Sequence, residues 1–150
     1  MNIDIDRNKK YYLSNPTVCT CDACQYYVKV ISHYCPEIKE YLELLGIDIA
    51  LPFETLWIED YDKNELFFIE AQYIVFGKCE KDWTDVVGSH SIFKSENHPS
   101  SNLEEEHFVI SITGIHLPWE RDSKLEDVFA LSRKKKVSFF RKARNKDNKG

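Results

Sequence analysis

The sequence predicts an α+β domain: a long N-terminal helix packed on a mainly antiparallel sheet of about four strands, with a C-terminal helix after it. Two observations carry this. From Cys24 onward the apolar residues Cys24, Val28, Ile31, Cys35, Ile38, Leu42 and Leu45 alternate spacings of four and three, which is one stripe of a helix. After Gly46 the pattern changes to β-rich runs at 55–61, 66–76, 86–93 and 107–117, with polar connections between them.

Taken in order, the segment 8–13 contains Lys-Lys-Tyr-Tyr-Leu and reads as a short strand, ended by Ser14-Asn15-Pro16. Asp22 stands where an N-cap or first-turn acid complements the free N–H groups and positive end of a helix. The helix starts about there. Pro36 removes an N–H and obstructs the preceding turn, yet the stripe keeps its phase across it. The spacing therefore predicts either a kink or a second helix starting at Pro36 on nearly the same axis. Gly46 supplies the stop.

Residues 47–53 read as extended, with Pro52 at a bend or edge. The runs at 55–61 and 66–76 flank Asp62-Lys63-Asn64-Glu65, a hairpin connection. Within 66–76 the odd positions Phe67, Ile69, Ala71, Tyr73 and Val75 are all apolar, whereas the even positions include Glu70 and Gln72. That alternation predicts a central strand with its odd face under the helix, and with Glu70 and Gln72 on the solvent side. Ser123-Lys124-Leu125-Glu126 has capping-box spacing and opens a helix through Leu125, Val128, Phe129 and Ser132, which could extend into the basic tail around Phe139 and Phe140.

A chain of 150 residues, 43% hydrophobic and 30% charged, suits one domain able to bury about two-thirds of its unfolded surface. The expected division is a domain over 1–132 and a basic extension over 133–150. That extension holds nine basic side chains and one acid, a net +8, against 11 basic and 24 acidic groups, a net -13, in the preceding 132 residues. An acidic body with a basic tail is one signature of nucleic-acid contact, and a tail that folds back or stays solvated is the alternative. The N-terminus lacks the basic start and apolar run of a signal peptide, and no apolar stretch reaches the ~20 residues that span a bilayer. Five cysteines, three of them between positions 19 and 24, do not resemble a secreted disulfide framework. A cytoplasmic protein with reduced thiols is the expectation.

There is no Gly-rich phosphate loop, Gly-x-Ser-x-Gly elbow or His-Glu-x-x-His helix, and the five histidines form no constellation with a nucleophile. No catalytic residue is assigned. The chemistry rests on Cys19, Cys21 and Cys24, whose thiolates suit zinc. His33 and Cys35 lie nine and eleven residues beyond Cys24, about 14 and 16 Å along an intact helix, too far to share its ion. The fourth ligand must be Asp22, water or a distant group; Cys79, directly after the central strand, is the first choice, followed by His90, His98, His107 and His116. Two further readings stay open. Cys21 and Cys24 form a Cys-x-x-Cys pair at a helix N-terminus, which suits thiol-redox chemistry, although Asp22 between them opposes thiolate formation; or the cysteines simply pack. The sequence thus predicts a binding or interaction protein with a structural zinc, whose partner is another protein, or nucleic acid through the tail.

Overall fold

Six strands and three helices precede a fourth helix in the computed structural model, which describes residues 1–130. The order is β1 (Asn2–Ile3), α1 (Ile5–Leu13), α2 (Asp22–Tyr34), α3 (Pro36–Leu44), β2 (Glu54–Asp60), β3 (Glu65–Lys78), β4 (Thr84–Val87), β5 (His90–Lys94) and β6 (His107–Pro118). A further helix, α4, occupies 125–130 at the end of the described chain. The sheet runs β1-β3-β6-β5-β4, with β2 also paired to β3. The pairings of β1 with β3, β4 with β5 and β5 with β6 are antiparallel. The α+β class stands, but the single long helix and the four strands do not.

The apolar stripe is two helices because Cys35, at φ -129° and ψ 63°, leaves the helical region. A proline disfavours the α conformation of the residue before it. Pro36 therefore ends α2 at Cys35 and serves as the first residue of α3, where its missing N–H costs nothing. Cys24, Ile31, Cys35, Ile38 and Leu42 are all buried, as is Tyr27 on the flank of the stripe. Burying these residues is worth about 1.5–3 kcal/mol for each large side chain before conformational entropy is subtracted.

The segment 8–13 is the end of α1, not a strand. Asp4 caps this helix, its Oδ1 accepting the Arg7 N–H at 3.0 Å, and Asn8 and Tyr12, one turn apart, are both buried. They close an exposed edge of β3. The Phe53 N–H reaches Gln72 O where β2 leaves off; next the Tyr12 hydroxyl donates to Ile74 O at 2.7 Å and Asn8 Oδ1 accepts the Phe76 N–H at 2.8 Å. The Asp4 N–H then takes Phe76 O, and β1 pairs with Gly77 and Lys78. An unpaired strand edge would invite pairing with another chain; here one helix and a two-residue strand cover it.

Gly77 is required for that closure. Its φ is +124°, and a Cβ added there would lie 2.1 Å from Asn2 O in β1. Gly77→Ala is expected to cost about 1–3 kcal/mol through backbone strain and displacement of β1, read as a lower urea midpoint with an unchanged slope.

The run at 86–93 is a hairpin rather than one strand. Val87 pairs with His90 across Gly88-Ser89, and Gly88 at φ +59° supplies the left-handed turn. Along β3 the predicted odd face holds only in the second half: Leu66 and Phe68 are buried, while Ile69 is 44% exposed. The Tyr27 ring lies 4.9 Å from Phe68 and its hydroxyl 2.5 Å from that of Tyr73. Residues five apart point to opposite faces in a regular strand, so the alternation slips by one between them, as at a bulge. Gln72 is buried, not solvent-side; the two protons of its Nε2 are shared among Asn97 O, Ser95 Oγ and Ser111 Oγ, which lie 3.1–3.3 Å away.

The chain forms two compact units. Among the described residues, the first is Met1–Ile58 with Phe67–Leu117; the second is Glu59–Leu66 with residues 118–130. In the second, Asn64 organises the packing. Its carbonyl accepts the Trp119 N–H at 2.9 Å, its Nδ2 donates to Trp119 O at 3.0 Å, and its Oδ1 receives the Leu125 N–H at 3.4 Å. The Trp119 ring meets Phe129 edge-on at 5.7 Å. The expected continuation of this helix and the basic extension at 133–150, with its nucleic-acid reading, lie outside the described residues.

Candidate metal centre

Cys19 and Cys21 lie in the connection that follows Pro16, and Cys24 is on the first turn of α2. Cys21, not Asp22, is the N-cap: its backbone is extended and its Sγ accepts the Cys24 N–H at 3.4 Å. Asp22 takes the first-turn position, where an acid complements the helix dipole. Gln25 fastens the loop from the other side, donating from Nε2 to Cys19 O at 2.8 Å. The result is that the three Sγ atoms lie within 4.8 Å of one another. Tetrahedral zinc with Zn–S bonds of about 2.3 Å needs its sulfurs about 3.8 Å apart, so only a small contraction separates the cluster from coordination.

The three thiols differ in exposure and in proton affinity. Cys19 is exposed, Cys21 half-buried and Cys24 buried. The Cys21 backbone N–H, with help from the neighbouring thiols, holds the Cys19 thiol below its ordinary value against partial desolvation and the charge of Glu54. Burial pushes Cys24 far above the thiol range, opposed by its contact with Thr55 Oγ1 of β2 at 3.1 Å. A bound cation reverses the penalty on Cys24, since a coordinating thiol is deprotonated outright.

The structure does not bring the expected fourth ligands to this cluster. Cys79 follows β3, seven residues beyond Gln72, the partner of Phe53. Thr55, which touches Cys24, is two residues further along the hairpin from Phe53, so about 30 Å of extended strand intervenes. Cys79 donates instead to Glu80 O. His98 is exposed beside Pro99 O, His107 bonds Ser101 Oγ and Glu105 O, and His116 stacks on Phe67 with centroids 4.6 Å apart. His90 lies with Cys35 and Glu37. Sequence reasoning missed Glu54 and Thr55, which the fold places against the cysteines although some thirty residues separate them; only the pairing of α2 with β2 reveals them. No described helix is long and apolar enough to cross a membrane. Compared with family models, curated proteins and solved structures, the chain matches none.

Proposed function

We propose that this chain is a cytoplasmic interaction protein that holds one structural zinc ion on Cys19, Cys21 and Cys24. The observation that carries the reading is the convergence of the three Sγ atoms at the N-terminus of α2, within 4.8 Å of one another. Three soft donors suit zinc, and the site has a route in through the exposed Cys19. The ion would tie the connection after α1 to the start of α2, with water or the Glu54 carboxylate completing the tetrahedron. The protein-partner part of the reading is supported by Leu56 and Ile58 of β2 and Ile69 of β3, apolar side chains on adjacent strands that are 44–48% exposed.

Metal analysis of untagged, reduced protein tests the zinc reading. The expected result is zinc bound with Cys19, Cys21 and Cys24 protected from a thiol reagent, and all three unmasked by a chelator. Ready modification of Cys19 and Cys21 in metal-loaded protein, or a reversible Cys21–Cys24 disulfide under mild oxidant, would overturn it in favour of packing or redox chemistry.

A further inference from the structure

We propose that Cys35, Glu37 and His90 form a second, separate site for a borderline divalent cation such as zinc, clasping the start of α3 to β5. It does not rest on the Cys19–Cys21–Cys24 reading. The Cys35 sulfur, a Glu37 carboxylate oxygen and a His90 ring nitrogen all lie within 4.8 Å of one another. The donors come from two distant parts of the chain. Cys35 and Glu37 bracket Pro36 at the break between α2 and α3, and His90 is the first residue of β5.

The histidine is oriented for the task. Its Nδ1 lies 2.9 Å from Thr113 O, and a carbonyl only accepts, so Nδ1 carries the proton. In the neutral ring Nε2 is then a lone pair, and it is the nitrogen 3.8 Å from Glu37 Oε1. A backbone carbonyl on the far nitrogen is the usual means by which proteins fix a metal-ligating imidazole. The separation of 3.8 Å is too long for a hydrogen bond, but close to the roughly 3.3 Å between nitrogen and oxygen ligands on one tetrahedral zinc. The Nε2 lone pair and the Glu37 carboxylate oxygen are ready donors, and Cys35, whose thiol burial keeps protonated, becomes the third by giving up its proton to a bound cation.

Burial and access also fit. Cys35 is 4% and His90 7% exposed, which dries the site, while Glu37 is exposed and gives the ion a way in. The turn of the β4–β5 hairpin sits against Glu37: a Cβ on Gly88 would lie 3.6 Å from Glu37 Cγ. β4 is at the end of the sheet and largely exposed, and Tyr41 of α3 donates to Asp85 Oδ2 of β4 at 3.1 Å. An ion on these residues would add a second fastening between α3 and the outer hairpin. The nitrogen, sulfur and oxygen donor set favours zinc or cobalt over magnesium or calcium, with water in the fourth position.

The test is a cobalt(II) titration of the reduced full-length Cys19→Ser/Cys21→Ser/Cys24→Ser variant, its fold checked by circular dichroism. The expected result is one cobalt per chain, with tetrahedral visible bands and charge transfer from a single thiolate, both lost in the added His90→Ala or Cys35→Ala variant. A folded triple variant that takes up no cobalt, or whose uptake ignores both added substitutions, overturns the proposal. If the triple variant does not fold, zinc content of the otherwise native chain decides: loss of one ion per chain on His90→Ala supports the site, and unchanged content overturns it. Failure of the first site alone would read differently, as equal content in the native and triple-variant chains, abolished by His90→Ala.

Discussion

Asn8→Ala is expected to lower the unfolding free energy by about 2–4 kcal/mol, because one truncation leaves a buried backbone N–H and a partly buried carbonyl unpartnered at roughly 1–3 kcal/mol each, the carbonyl at the lower end. Asn8 is fully buried. Its Oδ1 accepts the Phe76 N–H and its Nδ2 donates to Leu45 O, both at 2.8 Å. A single side chain thus joins α1, the end of α3 and the edge of β3. Asn8→Asp keeps the acceptor for Phe76 but loses the donor to Leu45 and buries a carboxylate. It should be less stable than Asn8→Ala at neutral pH and recover in part on acidification, when the protonated carboxyl can donate again. Urea unfolding of the three proteins at two pH values measures both effects; a loss below about 0.5 kcal/mol for Asn8→Ala would mean that water replaces the amide.

The same residue shows where the sequence was silent. Lys9-Lys10-Tyr11-Tyr12-Leu13 has no alternation long enough to separate strand from helix, and its two tyrosines favour a strand by propensity. The deciding information was outside that run: Asp4 as a cap, and Asn8 with Tyr12 at a helical spacing of four. A buried asparagine is invisible to an apolar pattern, since its burial follows from backbone groups elsewhere that need it. The stripe in α2 and α3 was legible because Cys24, Ile31, Cys35, Ile38 and Leu42 recur at helical spacing and are all buried on one side of their helices. Its break at Cys35 was legible too, as one of two outcomes allowed by Pro36. Gly88-Ser89 is a readable hairpin signal inside the β-rich run at 86–93. The phase slip in β3 was not readable, because apolar residues occupy both faces around it.

The two cysteine-containing clusters differ in the same way. Cys19, Cys21 and Cys24 are neighbours in the chain, so a helix cap suffices to gather them. The spacing argument that kept Cys35 away from Cys24 agrees with the two separate clusters in the fold. What it could not supply was the partner of Cys35. His90 is 55 residues further on, and its arrival depends on the order of strands in the sheet, which places β5 two strands from β3. Local spacing has no access to sheet order.

Alkaline unfolding should be steep, with stability falling by about 4 kcal/mol per pH unit above pH 10. Three of the eight tyrosines carry this effect. Tyr12, Tyr27 and Tyr73 are 6%, 0% and 0% exposed, and burial raises each phenol above its ordinary value of 10.0. Tyr27 donates to the Tyr73 hydroxyl and Tyr73 to Ile49 O at 2.6 Å, so both phenolic protons are held in a dry chain of hydrogen bonds. In the unfolded chain all three are released near pH 10, while the folded protein retains them. The unfolded state then binds fewer protons, and stability declines as pH rises from the unfolded value towards the folded ones. Below about pH 9 the three contribute no slope. Each is worth about 1.4 kcal/mol per pH unit in the declining range, and the shifts of Tyr11 and Tyr41 act in the same direction. A domain with about 5–15 kcal/mol of stability therefore unfolds within a few units above pH 10. Tyrosinate absorbance should show a late cooperative step coincident with loss of circular dichroism. Tyr27→Phe leaves the Tyr73 bond to Ile49 in place and should flatten the slope by about one proton. Gradual ionisation of these three phenols, with the fold intact and no late step, would show that water reaches the space between β3 and the helices α1 and α2.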